Sequence, residues 1–596
     1  GPEWKTARAW KMNKKNLCKL IDRDVLSYLD VHFANQMEAL NGGGNPELLL
    51  AAALTSAVTR QGHICLELLQ VAGKKLLERD EKGSFRVTPR SDEKSCDPKI
   101  ADSKDFSLRF TPFEMTERDS WNPLSEDGSG DEVLRCPGIS EWREKLFESS
   151  VVGRPGDYRP LILDDQSRLY LYRYWDYQDK LVRLIKARIV EEKDPFQAGR
   201  LRDKLADLFP ESREQPDWQK IAAFVAVRKK FAVISGGPGT GKTTTVARIL
   251  ALLLDLMESN VQPRIALVAP TGKAAARLQE AVKNAKAKLN CSTGLKQAIP
   301  EEASTIHRLL GTIPGSPYFR HNQKNPLPVD VVVVDEASMV DLALMSKLVE
   351  ALSPSVRLIL LGDKDQLASV EAGAVLGDIC DTGQFHGYSQ SLREQLKAAA
   401  GYELEASSKQ SESAMADCIV QLQKSYRFAG DNGIGVLSRA VNEGDGERAV
   451  AILKSKKSGN IEWRNLPPAS ALPALIASTI AAGFRSYLGC REPFDIFNMF
   501  DRLRVLCAVR QGPFGVNALN RLVEKILVRQ ELIEPHKTWY AGRPVLIKTN
   551  NYNLGLFNGD VGITLPDKDS DNNLRVFFPA SDGAHRKFHP LRLPDH

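Results

Sequence analysis

No run of about 18 or more apolar residues occurs in the sequence, so it offers no segment suited to crossing a bilayer as a helix. The opening stretch, GPEWKTARAWKMNKK, lacks the apolar core of a secretory signal. Cysteine is sparse, nine in 596 residues, with no CxxC pair and no Cys/His cluster at zinc spacing. That excludes a disulfide or zinc framework and suits reduced thiols in a cytoplasm. No metal-spaced carboxylate cluster of the nuclease kind stands apart from the motifs described below, and there is no NKxD-type guanine motif. Nor is there an internal repeat of solenoid period. Residues 1–11 precede the first methionine, Met12, and are expected to be a tag scar or out-of-frame upstream sequence; they are set aside.

The composition is that of a globular chain, with 42% hydrophobic and 26% charged residues and a net charge of +6. At about 100–200 residues per domain, the length predicts three to five domains. The mild basic excess is compatible with nucleic acid but does not select it.

Residues 16–90 read as a helical unit, with Leu26, Leu29 and Phe33 at helical spacing and a second packed helix over LLLAAALTSAVTR (48–60). The Asp-, Glu-, Ser-, Lys- and Pro-rich stretch 91–135 predicts a mobile connector. LILDDQSRLYLYRYW (161–175) predicts a hairpin turning at Asp164–Ser167, followed by an amphipathic helix near 176–193. From about 218 to 380, β-branched runs alternate with helical segments: FAVIS, RIALVAP, VDVVVVDE and VRLILLGD. Runs this apolar belong to strands covered on both faces of a parallel sheet, so the fold class is α/β. Residues 386–415 are polar and predict a loop or insertion. A second α/β unit is expected from about 418, with RVLCAVR (504–510) as one of its strands. Short strands over 538–594 predict a small β-barrel.

Chemistry is concentrated in two motifs. Gly236, Gly237, Pro238, Gly239, Thr240, Gly241, Lys242 and Thr243 spell G-x-x-x-x-G-K-[ST] between a strand and a helix, the context a phosphate loop needs. Glycines let backbone N–H groups turn inward around phosphate oxygens at a helix N-terminus. Lys242 then reaches the β/γ-phosphates, the Thr243 hydroxyl ligates Mg²⁺, and Thr244 continues the cradle. Asp335 and Glu336 end the strand VDVVVV. Beside a phosphate loop such a pair suits Mg²⁺ (Asp335) and activation of the attacking water (Glu336). Without that loop, the bland reading of a charged strand exit would be preferred.

A phosphate loop does not by itself select a function. APTGKAAARL (269–278), STIHRLLG (304–311), DEASM (335–339), GDKDQLASVEAGAVLGDIC (362–380) and LQKSYRF (422–428) follow in order. Together they resemble superfamily-1 helicases, and within them the RecD family, the alpha subunits of exonuclease V (RecBCD), over roughly residues 12–596. The resemblance is strong over 218–380 and looser in the N-terminal unit. It implies ATP and Mg²⁺ as cofactors, Gln219 as the adenine-reading glutamine, Gln366 as the γ-phosphate sensor beside Asp363, and Arg427 as an arginine finger. It implies that Thr271, Lys273, Thr305 and His307 grip single-stranded DNA. Read without it, Arg427 could be a surface ion-pair residue and His307 a capping or core histidine.

The resemblance further implies a 5′-to-3′ DNA helicase subunit acting in double-strand break repair by recombination. Its partners would be single-stranded DNA from duplex ends and RecB- and RecC-type subunits, in a bacterial cytoplasm, with any exonuclease site on a partner. The architecture it implies is a pair of RecA-like motor domains with a helical N-terminal domain and an SH3-like barrel insertion. The expected boundaries are 12–110 for the N-terminal partner-docking domain, 111–210 for a connector, 211–395 for the first motor domain, 416–535 for the second and 536–594 for the barrel. Two late motor motifs of the family, of the HKSQGSE and VYTAVTRAR kinds, are not found, so the second motor domain is expected to be incomplete and the chain truncated. The rival readings are a small-molecule kinase or GTPase, which GDKDQL and the lack of an NKxD motif oppose, and an ATP-binding structural subunit without motor activity, which Lys242, Glu336 and Arg427 oppose for the full-length protein and the expected truncation favours for this chain.

Overall fold

The computed structural model describes residues 17, 20–21, 25–74, 76, 78–79, 85–86, 135–189, 198–210, 216–257, 262–367, 369, 371–381, 387–404, 414–426, 433–455, 460–534, 537–549, 551, 554–580 and 584–596. The connector stretch 91–134 and Arg427 lie outside them. No helix among the described residues is long and apolar enough to cross a membrane.

The centre of the chain is a six-stranded sheet. Its strands are β1 (Phe231–Gly236), β2 (Ile265–Ala269), β3 (Ala303–Thr305), β4 (Val331–Val334), β5 (Arg357–Gly362) and β6 (Ile419–Leu422), in the spatial order β6-β1-β5-β4-β2-β3. Every pairing is parallel. Side chains alternate between two cores, Val331 and Val333 entering one and Val332 and Val334 the other. This two-sided burial is why the strand sequences lack polar alternation. One face carries α1 (Trp218–Arg228), α2 (Lys242–Leu256) and α3 (Gly272–Lys288); the other carries α4 (Leu342–Glu350) and the helix Tyr172–Ile189 packed on it.

Several expectations need correction. Strand β6 was placed in the second motor unit beginning at 416, yet Ile419 pairs with Val233 and Leu422 with Gly236, so the first motor sheet runs to Leu422. Only four residues long, β6 gains its ladder and its burial by joining this sheet edge. The polar stretch 386–415 holds a helix, Gln390–Ala400, capped by Ser389 and burying Leu392, Leu396, Ala399 and Ala400. The segment 504–510 forms no strand; Leu506 is 92% exposed, and no neighbouring backbone supplies a ladder. The elements described around it are helices instead: Gly433–Asn442, Gly446–Lys454, Leu472–Leu488, Pro493–Phe500 and Val516–Arg529. The C-terminal strands Pro544–Leu546, Val561–Asp567, Asn573–Pro579 and His585–Phe588 form an antiparallel meander in sequence order around one small core, and the Lys548 N–H donates to the Asp595 carbonyl at 2.8 Å, bringing its two ends together. HPLRL is a 3₁₀ turn at Pro590–Arg592, as expected of a proline that cannot donate to a ladder.

Residues 135–171, from the segment expected to be a connector, form one body with the N-terminal unit, whereas the helices Tyr172–Ile189 and Ala198–Leu208 of that segment pack on the central sheet. Cys65–Glu67 pairs antiparallel with Arg168–Leu171, which pairs with Leu161–Leu163 across the expected turn, and a single core fills the space beneath. The helix after the hairpin begins at Tyr172, earlier than 176, because Tyr174, Gln178, Leu181 and Ile185 already share its buried stripe. In helix Tyr28–Leu40, Leu29 is 66% exposed; Asp30, Ala34 and Met37 face inward. Buried Asp30 closes a capping box with Ser27 and accepts from Arg60 at 2.9 Å and Ser56 at 2.8 Å, fastening this helix to Pro46–Arg60. Burial pushes its pKa up, but Arg60 and the Ser27 and Ser56 hydrogen bonds outweigh that and hold it below the ordinary carboxylate value.

Candidate nucleotide and DNA site

The phosphate loop lies between β1 and α2. Gly241 sits at φ +83°, the left-handed region, and a Cβ there would also strike the Gln219 amide, so glycine is required twice over. The loop is tied internally: Thr240 Oγ1 donates to the Gly237 carbonyl at 2.9 Å and Thr245 Oγ1 to Gly241 at 3.0 Å. Lys242 is half-buried rather than surface-facing, and its Nζ donates to the carbonyls of Gly236 at 2.5 Å and Gly237 at 3.3 Å. Thr243 and Thr244 open α2, where free N–H groups and the helix dipole favour an anion.

Asp335 and Glu336 follow β4 directly. Asp335 is buried, and burial raises its carboxyl pKa to about 6; the Glu336 backbone N–H, donating at 2.9 Å, opposes the rise, the Glu336 charge adds to it, and Lys242 opposes it. A buried carboxyl facing a lysine across a phosphate loop is short of positive charge, and its oxygen, with the Thr243 hydroxyl, is the hard donor set that suits Mg²⁺. Among the described residues no group of three or more His, Cys, Asp or Glu could hold a metal. Glu336 has φ +51°, an uncommon conformation for a residue with a side chain, and such strain gathers at working sites.

The turn after β5 completes this side. Buried Asp363 accepts from the Asp365 N–H at 3.1 Å and from Gln366 Nε2 at 3.2 Å, while the Lys364 N–H donates to Ser235 Oγ on β1 at 3.2 Å. Gln366 is therefore held by Asp363, whose neighbour Lys364 is fastened to the strand that leads into the phosphate loop. A cleft of about 520 Å³ opens between Pro210, Asp217, Gln219, Gly241, Thr244 and Tyr426. Gln219, on α1, reaches it because Asp217 caps that helix and accepts from the Gln219 N–H at 2.9 Å.

The sequence reasoning missed the part played by Ser425 and Tyr426. The Ser425 Oγ donates to the Pro238 carbonyl and the Tyr426 N–H to the Gly239 carbonyl, both at 2.8 Å. The chain leaving β6 is thus stitched onto the phosphate loop one residue before Arg427. Phosphate-loop geometry makes those carbonyls point outward, but nothing in the spacing says which segment meets them.

Thr271, Lys273 and Thr305 gather at the C-terminal edge of the sheet, where Ala269 on β2 registers with Thr305 on β3. Each threonine caps a helix, accepting from the Ala274 or the Arg308 N–H at 3.2 Å, which leaves its hydroxyl proton for another acceptor. Lys273 is exposed. His307 stands apart from them in environment: it is half-buried edge-on to Phe319 at 5.6 Å. Burial holds its pKa below the ordinary histidine value, with Asp341 opposing and Lys347 reinforcing, and its ring is partly committed to packing. Phe557, in a turn of the C-terminal meander, lies against Gly272, and the charge of Lys273 reaches Asp560 in the same turn. These two residues carry no motif, and sequence spacing could not have found them.

The chain matches the AAA domain family over residues 219–372 and the family "RecBCD enzyme subunit RecD, N-terminal domain" over 22–170. The second span agrees with the single N-terminal body. The RecBCD enzyme subunit RecD of Haemophilus influenzae is 38% identical over 456 residues, covering 72% of this chain and 68% of that one. The subunit of the same name from Mycobacterium tuberculosis is 35% identical over 546 residues, covering 91% of this chain and 77% of that one. The ATP-dependent RecD2 DNA helicase of Deinococcus radiodurans is 40% identical over 168 residues, 28% of this chain and 20% of that one.

Proposed function

The chain belongs to the RecD family of RecBCD enzyme subunits, and from that membership we propose that it is an ATP-dependent DNA helicase subunit moving 5′ to 3′ on single-stranded DNA drawn from duplex ends. It works in a complex with RecB- and RecC-type subunits, in double-strand break repair by recombination in a bacterial cytoplasm. The observation that carries the motor reading is the convergence of Lys242, Asp335, Glu336 and Gln366 at one edge of a parallel sheet, with the segment preceding Arg427 bonded to the phosphate loop. An ATP-binding structural subunit would have no need of Glu336 or of a held Gln366.

Bound Mg²⁺ would neutralise phosphate charge and orient the γ-phosphate. The rest is work for the chain's own residues. Lys242 exchanges its carbonyl partners for phosphate oxygens. Asp335 and Thr243 would hold the cation. Glu336 accepts the proton of the attacking water. Arg427 meets the charge that develops on the transferred group. Gln366 senses that group, and through the turn after β5 any displacement is shared with β5 and β1, and through β4 with β2 and β3, which lead to Thr271 and Thr305. Those hydroxyls and Lys273 meet backbone phosphates, which gives grip without sequence preference.

The deciding experiment measures phosphate release with and without single-stranded DNA, together with unwinding of duplexes bearing a 5′ or a 3′ tail, with the RecB- and RecC-type subunits present. DNA-stimulated hydrolysis with unwinding from the 5′ tail supports the proposal. Hydrolysis indifferent to DNA overturns it, and unwinding only from a 3′ tail overturns the direction.

A further inference from the structure

Arg248 lies on α2, six residues beyond the phosphate-loop lysine and outside every motif of the sequence. We propose that Arg248 is a positioning residue that sets the purine selectivity of the nucleotide site by fixing which way round the Gln219 amide stands; this rests on the ATP-binding reading above.

A glutamine amide has two nearly isosteric ends, one donating and one accepting. Left free, it can turn to suit either adenine, which offers an amino donor beside the N7 acceptor, or a 6-oxo purine, which offers two acceptors there. Here both ends are engaged. Gln219 Nε2 donates to the Thr240 carbonyl at 3.1 Å, and Gln219 Oε1 accepts from Arg248 Nη1 at 3.3 Å. Arg248 is itself restrained: its guanidinium carbon lies 4.9 Å from the centroid of the buried Phe209 ring, within cation–π range. Turning the amide over would set Nε2 against a guanidinium and Oε1 against a carbonyl oxygen, two repulsive contacts in place of two hydrogen bonds. The fixed amide keeps one lone pair on Oε1 and one N–H on Nε2. Adenine N6 and N7 satisfy both, whereas a 6-oxo purine brings its oxygen against Oε1. The relevant groups border the same cleft: Asp217, Gln219, Gly241 and Arg248 all line it.

The test is equilibrium binding of ATP and ITP to the full chain, followed by competition with a fluorescent nucleotide, for the unaltered protein, Arg248→Ala and Arg248→Lys. ITP carries the 6-oxo group on an otherwise unsubstituted purine. Phe209→Leu serves as a fourth protein, removing the ring that restrains Arg248. The unaltered protein should prefer ATP. Arg248→Ala should weaken ATP about tenfold and ITP little, so that the ratio collapses, with Arg248→Lys and Phe209→Leu in between. Equal weakening of both nucleotides by Arg248→Ala, or an unchanged ratio, overturns the proposal, and so does an absence of ATP preference in the unaltered protein. DNA-stimulated hydrolysis, followed in parallel, reports on the motor reading alone. A selective site without it would sink that reading and leave the role of Arg248 standing.

Discussion

The backbone N–H of Tyr426 donates to the carbonyl of Gly239 at 2.8 Å, joining the segment that leaves the last strand of the motor sheet to the loop that cradles phosphate. With the neighbouring bond from Ser425 to Pro238, it fixes the backbone at 425–426 against that loop. Catalysis of phosphoryl transfer depends on placement more than on covalent chemistry, so loosening this seam should cost rate rather than binding. Arg427→Ala is expected to lower kcat by about 10³-fold or more. Ser425→Ala, which removes one of the two bonds, should lower it only several-fold. Both should bind nucleotide nearly as well as the unaltered chain. Stopped-assay turnover beside nucleotide titration checks this, and a Ser425→Ala protein with intact kcat but weakened binding would contradict it.

Lys242→Ala should abolish DNA-stimulated hydrolysis, by more than about 10²-fold, because the charge that meets the transferring phosphoryl group is gone. Folding should be little affected. Lys242 is only half-buried, and the carbonyls of Gly236 and Gly237 that it now bonds can turn to water. Thermal melting within a few degrees of the unaltered protein, with turnover at background, is the expected pair of results. Turnover within a few-fold of the unaltered level would remove Lys242 from the site.

Single-strand binding should be sequence-tolerant and weaken steeply with salt. Lys273→Ala should lower affinity about uniformly across unrelated oligonucleotides and reduce the salt slope by about one. Lys273 also feels the Asp560 carboxylate, so Asp560→Asn, which frees that lysine, should shift affinity the other way. Titrations against several oligonucleotides over a salt series test both; a flat salt response in the unaltered chain would remove the phosphate-contact reading.

The parts of this molecule that could be read from its sequence are those governed by local rules. Strands β1, β2, β4 and β5 of the motor sheet are runs such as VVVV at 331–334, whose two-sided burial leaves no polar alternation to misread. The phosphate loop needs glycine at Gly241 for a conformational reason visible in the letters themselves. What failed was decided by partners distant in sequence. Ile419–Leu422 looks the same whether it begins a new sheet or ends an old one, and only its register with Val233–Gly236 says which. Cys65–Glu67 is three residues with no strand pattern until Arg168–Leu171 is laid beside it. RVLCAVR has strand composition but no neighbour to pair with. The helix Gln390–Ala400 is a different failure: its Leu392, Leu396, Ala399 and Ala400 stripe was present, but polar residues outnumbered it and the capping Ser389 was passed over.

Asp378 supplies a prediction about stability rather than turnover. It is buried in the short helix Val375–Cys380, its Oδ2 has no hydrogen-bond partner, and Asp381 lies close enough to repel it. Burial, reinforced by the Asp381 charge, raises its pKa to about 8. In the unfolded chain it returns to the ordinary carboxylate value of 3.8. Between those two values the folded protein holds a proton that the unfolded chain has released. Stability from this group is therefore full at low pH, falls as pH rises through that window, and is flat above it. Asp378→Asn keeps the shape and cannot ionise. It should match the unaltered chain in the acid part of the window and exceed it increasingly towards pH 8, by about 1–3 kcal/mol, the usual cost of an unmet buried polar group. Denaturant unfolding of both proteins at pH 5, 6.5 and 8 is the measurement. A stability difference that does not grow with pH would mean that Asp378 ionises normally, and that its buried oxygen is satisfied by water.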